Sequence, residues 1–377
     1  MSELEKRTWA EVDLDNIRHN YRAIRAALPE GCRFLGVVKA NAYGHGALEV
    51  ARTLADCGAD YLAVSCLDEA MELRDGGVTM PLLILGHTPC EYTRMLADND
   101  ITQTITCLAK AAEFSEEATR LGKQLKVHIA LDTGMSRLGV LCMDERFDGG
   151  VENIVRACRM PGLVPEGVFT HFAVSDMPGA DNERYTREQF RLFCDVIAQV
   201  EARGVHFAIR HCANSGAVLN YPEMCLDMVR PGLLLYGYGD EAGRLGLKPC
   251  LRFVTKVTTI KHYAPGTDIS YGRRFTTDRV TRMGVVGVGY ADGLPRLASN
   301  KCAFAAAGGK APQRGAICMD MCMIDLTDLP EAAVGSEVEI FGPANPISAI
   351  AEAAQTIPYE LLCALSKRVP RVYKKFE

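Results

Sequence analysis

An apolar run, Phe34-Leu35-Gly36-Val37-Val38, delivers Lys39 and is followed by a polar, glycine-rich turn, Asn41-Ala42-Tyr43-Gly44-His45-Gly46. An amine at the C-terminal end of a buried strand stands where α/β folds do chemistry. Partial desolvation there lowers a lysine's pKa and frees the amine for Schiff-base formation. A lysine past a strand is also an ordinary solvated end-cap, because lysine is rarely buried unless paired. Matching features further along favour the reactive reading. Asp132-Thr133-Gly134-Met135-Ser136-Arg137, Thr170-His171-Phe172, Asn214-Ser215-Gly216 and Val229-Arg230-Pro231-Gly232 each end or follow an apolar run. Singly they are a turn, a core histidine, a loop and a bend. Together they put polar groups at the same end of five strands, provided those strands form one parallel barrel.

The elements that must position them alternate. Residues 8–12 read as a short strand, Asp13 as a helix cap, and Leu14, Ile17, Tyr21, Ile24 and Leu28 as one apolar helical face. Eight apolar or β-branched runs follow, at 34–38, 61–65, 82–85, 102–106, 126–131, 167–171, 207–211 and 228–236. Helix-like segments separate them, at 47–56, 67–75, 91–98, 109–121, 151–159, 182–203 and 215–220. This alternation argues for a parallel sheet, and eight units fit a (β/α)8 TIM-type barrel over residues 11–243. A doubly wound open sheet competes, since periodicity cannot tell closed from open. No G-x-G-x-x-G follows the first strand, which weakens a dinucleotide-binding version. Gly237-Tyr238-Gly239-Asp240-Glu241-Ala242-Gly243 reads as a linker. Beyond it β-rich runs dominate, at 252–262, 281–290, 303–307, 314–325 and 336–341, with one helical stretch near 346–356. A mostly-β C-terminal domain over 244–377 follows.

The balance of 48% hydrophobic and 24% charged residues across 377 positions is that of a soluble globular chain with a large core. A formal net charge of −5 without a long basic run makes nucleic acid and anionic membrane surfaces poor partners. The N-terminus has no apolar core for a signal peptide, and no stretch is long and apolar enough to span a bilayer. The 15 cysteines are scattered and never spaced as C-x-x-C, so a zinc site or disulfide framework is not expected and a reducing cytoplasm fits. Ser215 and the backbone N–H groups of Gly232 and Leu233 lie where barrels of this kind bind phosphate. A reactive lysine, a phosphate cradle, arginines and no metal ligands together suggest pyridoxal 5'-phosphate.

Val37-Val38-Lys39-Ala40-Asn41-Ala42-Tyr43-Gly44-His45-Gly46 resembles the cofactor-attachment motif of the alanine racemases. The likeness continues in family order through Asp132-Thr133-Gly134-Met135-x-Arg137-Leu138-Gly139, Thr170-His171-Phe172 and His211-Cys212-Ala213-Asn214-Ser215. It extends through Val229-Arg230-Pro231-Gly232, Ser270-Tyr271-Gly272, Gly289-Tyr290-Ala291-Asp292-Gly293, Cys318-Met319-Asp320 and Arg368-Val369-Pro370-Arg371. Coverage is essentially end to end. The resemblance implies a homodimer with shared active sites, each completed by the partner's β domain. It also implies that residues 1–10 pair with the β domain.

The same resemblance implies residue roles. Lys39 would carry the cofactor as a Schiff base and act as one base. Tyr271, supplied by the partner, would be the other, on the opposite face of the substrate. The lysine would act on D-alanine and the tyrosine on L-alanine. A free tyrosine titrates at about 10, so a drop of two to three units asks for roughly 3–4 kcal/mol of help. His171 and nearby arginines are the candidate source. Arg230 would face the pyridine nitrogen and keep it unprotonated. Arg137 would contact the ring's phenolic oxygen and the substrate carboxylate. Tyr43, Asn214, Ser215, Gly232, Leu233 and Tyr359 complete the cofactor-binding set. Tyr290, Met319 and Asp320 would line the substrate side.

The implied activity interconverts L- and D-alanine, supplying D-alanine for peptidoglycan. Ile357-Pro358-Tyr359-Glu360 and the lack of a transmembrane half favour alanine over serine. Ala130 departs from the family, many members of which carry a carbamylated lysine there. A bound anion or ordered water is expected in its place. A barrel-related decarboxylase or a racemase of broader range, and a carrier of the cofactor without turnover, are the alternatives; the Ser-Tyr-Gly and Cys-Met-Asp motifs disfavour the decarboxylase and the β domain the carrier.

Overall fold

The computed structural model describes residues 7–239 and 242–374. The first six residues of the segment expected to pair with the β domain, and Asp240-Glu241 of the expected linker, lie outside the described residues. Two compact units emerge, one of residues 17–42 and 47–247, the other of residues 7–16, 43–46 and 248–374.

In the first unit eight parallel strands run Arg33–Val37, Tyr61–Val64, Leu82–Ile84, Ile101–Ile105, Leu125–Asp132, Leu163–Phe169, Ile209–His211 and Met228–Val229. The last pairs with the first, Met228 opposite Arg33 and Val229 opposite Phe34. Two backbone hydrogen bonds, Asp227 N to Arg210 O at 3.1 Å and Arg230 N to Ala213 O at 2.9 Å, link the seventh strand to the eighth. The open-sheet alternative is thereby set aside in favour of a TIM-type barrel. Strands covered on both faces read as unbroken apolar runs, and Tyr61–Val64 and Leu82–Ile84 are buried throughout. Helix Ala47–Cys57 buries Ala47, Val50, Ala51 and Leu54, the helical spacing of one face. Gly36 lets that helix approach, because a Cβ there would meet Leu54 Cδ1 at 2.6 Å.

The eighth strand is shorter than the expected run of 228–236. Pro231 and Gly232 end it, and Leu233–Tyr236 form a buried 3-10 turn closed by Gly237 in the left-handed region at φ 78°. Leucine content alone could not separate a buried strand from a buried turn.

In the second unit, Leu251–Tyr263 pairs antiparallel with Glu337–Phe341 along its first half and with Thr281–Val286 along its second. Cys322–Asp325, Gly309–Arg314 and Ala303–Ala306 complete the circuit, so six strands close on one another and leave no free edge among themselves. Thr8–Asp13 adds to Leu251–Tyr263 and pairs in turn with Arg371–Lys374. The Asp13 carboxylate accepts from the N–H groups of Asp15 and Asn16 at 3.0 and 2.9 Å, capping helix Leu14–Ala26. The expected strand 314–325 is two strands, Gly309–Arg314 and Cys322–Asp325, with a loop between them that carries Cys318, Met319 and Asp320. The expected strand 281–290 stops at Val286.

Candidate functional site

Lys39 follows strand Arg33–Val37, half-buried. The next four residues are wound left-handed, with φ of 52°, 54°, 53° and 50° at Ala40, Asn41, Ala42 and Tyr43. L-residues resist that hand by roughly 1–2 kcal/mol each, so surrounding contacts must hold it. The Glu69 carboxylate spans the N–H of Ala40 at 2.6 Å and of Ser65 at 2.7 Å. The Asn41 side chain accepts from the N–H of Ala47 at 2.8 Å, and Ala42 N donates to Val38 O at 2.8 Å.

Arg230, just past the eighth strand, is 4% exposed. Its Nη1 donates to His211 Nδ1 at 3.0 Å and His211 O at 2.9 Å. Its Nη2 donates to Thr170 O at 2.8 Å, Cys212 O at 3.1 Å and His171 Nδ1 at 3.3 Å. The guanidinium also lies over the Phe169 ring, 5.3 Å from its centroid. Burial, reinforced by Arg137, pushes Arg230 down to about 10. His171 is brought down to about 3 by burial and then by the charges of Arg230, Arg137 and Lys39. It is a neutral imidazole at physiological pH.

Ser215 opens helix Ser215–Asn220, and its Oγ accepts from Gly232 N at 2.9 Å and Leu234 N at 3.4 Å. Leu233 lies buried between those two donors. Asn214 caps the helix, its side-chain oxygen accepting from Ala217 N at 3.1 Å and Ser175 Oγ at 2.7 Å. Arg137 is exposed, on a loop shaped by the Asp132 carboxylate, which accepts from Gly134 N and Ser136 N, each at 3.0 Å. Ala130 is buried.

The β unit gathers a second set. Tyr43 and Tyr359 face each other with ring centroids 6.1 Å apart. Burial pushes the Tyr43 phenol above its ordinary range. Tyr271 is 74% exposed on a turn in which Ser270, Gly272 and Arg273 all have positive φ, of 69°, 71° and 51°. A pocket of about 390 Å³ beside it is lined by Tyr263, Ser270, Tyr271, Cys318, Met321 and Met323, among others. Tyr290 N donates to Cys318 O at 3.0 Å and Ala291 N to Met319 O at 3.0 Å, which brings Tyr290, Met319 and Asp320 together. Only glycine fits at 289, where a Cβ would sit 2.3 Å from two carbonyl oxygens of that loop.

The loop is held from below. The buried Asp292 carboxylate takes Arg7 Nη2 at 2.5 Å, Arg368 Nε at 2.8 Å and Gly289 N at 2.9 Å, while Arg368 Nη1 reaches Asp320 at 2.8 Å. Sequence reasoning gave no role to Glu69, Arg7 or the Asp292 carboxylate, nor to the polar residues inside the barrel. The available signal there was a polar residue, His128, at an inward position of an otherwise apolar run.

The donor set suits a phosphorylated pyridine aldehyde. A hydroxyl and two backbone N–H groups meet at Ser215, and an immobilised cation stands at Arg230.

A family model for the alanine racemase N-terminal domain matches residues 12–240, and one for the C-terminal domain matches residues 250–373. The chain is 44% identical over 373 residues to alanine racemase 2 of Caldanaerobacter subterraneus subsp. tengcongensis, covering 97% of this chain and 94% of that relative. It superposes on the alanine racemase of Clostridium difficile 630 with a TM-score of 0.93 at 38% identity, covering 99% of this chain and 97% of that one. The complex of a Clostridium difficile 630 alanine racemase with cycloserine gives a TM-score of 0.90 at 37% identity, covering 98% and 96% of the two chains.

Proposed function

The chain belongs to the alanine racemase family, and on that premise we propose that it interconverts L- and D-alanine with pyridoxal 5'-phosphate as cofactor. The observation that supports this most is the match of both domains of the family over nearly the whole chain, with Lys39 at a strand's end and Tyr271 exposed on the β unit. Cycloserine, bound by the relative above, is a cyclic alanine-like molecule and fits the same substrate class.

Lys39 would attach the cofactor. Ser215, Gly232, Leu233, Tyr43 and Tyr359 would hold its phosphate, with Asn214 shaping that end and Arg137 and His171 beside the ring. The chemistry supplied when it is bound is an aldehyde and an electron-withdrawing ring that spreads the charge left on the α-carbon. The protein's own share is to place bases and fix charges. Lys39 Nζ would exchange the α-proton of D-alanine and Tyr271 Oη, from the partner subunit of a homodimer, that of L-alanine. Arg230, a permanent donor, would bond the ring nitrogen without protonating it, which limits side reactions. Tyr290, Met319 and Asp320 would wall a pocket sized for a methyl group. The product would supply D-alanine for peptidoglycan in the cytoplasm.

A chiral assay over a panel of small amino acids tests this. Purified protein should be yellow, lose its visible absorbance on borohydride reduction, and interconvert the alanine enantiomers. Release of carbon dioxide would point to a decarboxylase, and colour without turnover to a carrier.

A further inference from the structure

The barrel's interior carries a continuous polar thread that begins at Arg230 and runs away from Lys39. His211 Nε2 lies 2.9 Å from His128 Nδ1, and His128 Nε2 lies 3.3 Å from Glu166 Oε2. Tyr61 Oη donates to the same oxygen at 2.7 Å and sits 3.1 Å from Thr102 Oγ1. Both histidines are fully buried, and the Phe169 ring stacks on His211 at 4.9 Å. Tyr61 is the first residue of its strand, whereas Arg230 follows the end of its own. The thread therefore crosses from the C-terminal mouth of the barrel toward the opposite one.

Its two ends fix every proton between them. Arginine only donates, so His211 Nδ1 must carry a lone pair and its proton must sit on Nε2. That proton is given to His128 Nδ1, which leaves the second ring's proton on Nε2, facing the Glu166 carboxylate. Burial lowers both imidazoles and keeps them neutral, and the hydrogen bond from His128 holds Glu166 at about 2. Either ring reversed would set two N–H groups against each other, or two lone pairs.

We propose that Glu166 is a positioning residue for Arg230, acting through the fixed tautomers of His128 and His211 from the far side of the barrel. An acceptor lost at Glu166 frees His128 to carry its proton on Nδ1. His211 must then turn over, and its Nδ1–H confronts Arg230 Nη1. Arg230 loses one of its five acceptors and the orientation that aims it at the cofactor ring. The inference rests on the cofactor reading for its effect on turnover, but not for the proton positions.

The test is ¹⁵N NMR of histidine-labelled protein, with racemisation measured alongside, for wild type, Glu166→Gln and Glu166→Leu. Wild type should show both rings as neutral Nε2–H tautomers. The glutamine variant, whose amide oxygen still accepts, should keep them and keep most of the activity. The leucine variant should show mixed tautomers and a kcat lower by about tenfold, as for lost partners that orient a functional imidazole, with KM for alanine little changed. Wild-type rings that are doubly protonated, or protonated on Nδ1, overturn the proposal even if the leucine variant does not fold. So does a leucine variant with unchanged tautomers, or with changed tautomers and wild-type kcat. Absence of racemisation in wild type would instead strike the functional reading and leave the tautomer result standing.

Discussion

The two units handle their functional groups in opposite ways. The barrel buries its charge. Arg230 is 4% exposed, meets five acceptors and is surrounded by neutral imidazoles. The β unit shows its groups to solvent, with Tyr271 74%, Met319 52% and Tyr290 44% exposed. Exposed large apolar side chains of this kind are what the partner would cover in the proposed dimer. The barrel therefore fixes its polar groups within its own interior, while the β unit presents its side chains to solvent. That division accords with the proposed dimer.

Substitutions can break or sharpen this contrast. The largest effect is expected at Lys39. Lys39→Ala should reduce racemisation to background in both directions and abolish the borohydride-sensitive absorbance. Next comes Tyr271→Phe, which should slow L-to-D conversion by about 10²–10⁴-fold, the usual weight of a positioned acid or base. Exchange of the D-alanine α-proton should persist, and the melting temperature should stay put because the phenol is exposed. Wild-type exchange from L-alanine in this variant would sink the two-base assignment.

Arg230→Leu should instead act on the fold. It strands buried carbonyls and two ring nitrogens, at a cost of about 3 kcal/mol or more in urea unfolding. A smaller effect follows from pH. His128, His171 and His211 are all held below their ordinary pKa by burial. Unfolded histidines gain protons as pH falls through about 6.5, whereas these do not, so stability should decline on the acid side. The slope is up to about 1.4 kcal/mol per pH unit for each ring. The Glu166 contribution should go later, as pH falls from the unfolded carboxylate range toward 2. Unfolding curves that coincide at pH 7 and pH 5.5 would contradict this. Least of all, Arg368→Ala should raise KM for alanine several-fold by loosening the Met319–Asp320 loop.

Legibility followed the same division. The barrel strands were readable because runs buried on both faces leave an apolar signature, and Lys39 and Arg230 could be placed because each follows such a run. The Leu233–Tyr236 turn was hidden by that same signature. In the β domain the strands were legible but the loop between Arg314 and Cys322 was not, since nothing in its composition marks the close approach made at Gly289. The thread through the barrel is not legible in the sequence, because Tyr61, His128 and Glu166 lie far apart along the chain and each looks like an ordinary inward residue until the strands are closed into a ring.

The backbone beside Lys39 turns in the sense that mirror-image amino acids adopt without effort. Four consecutive L-residues, Ala40 to Tyr43, hold it there. A chain assembled by synthesis with D-alanine at 40 and 42 should thus fold into the same loop with less resistance, and a glycine at 40 should relieve part of the tension. For a protein read as a maker of D-alanine, the segment adjoining its reactive amine is one where the product's own handedness would be the easier fit.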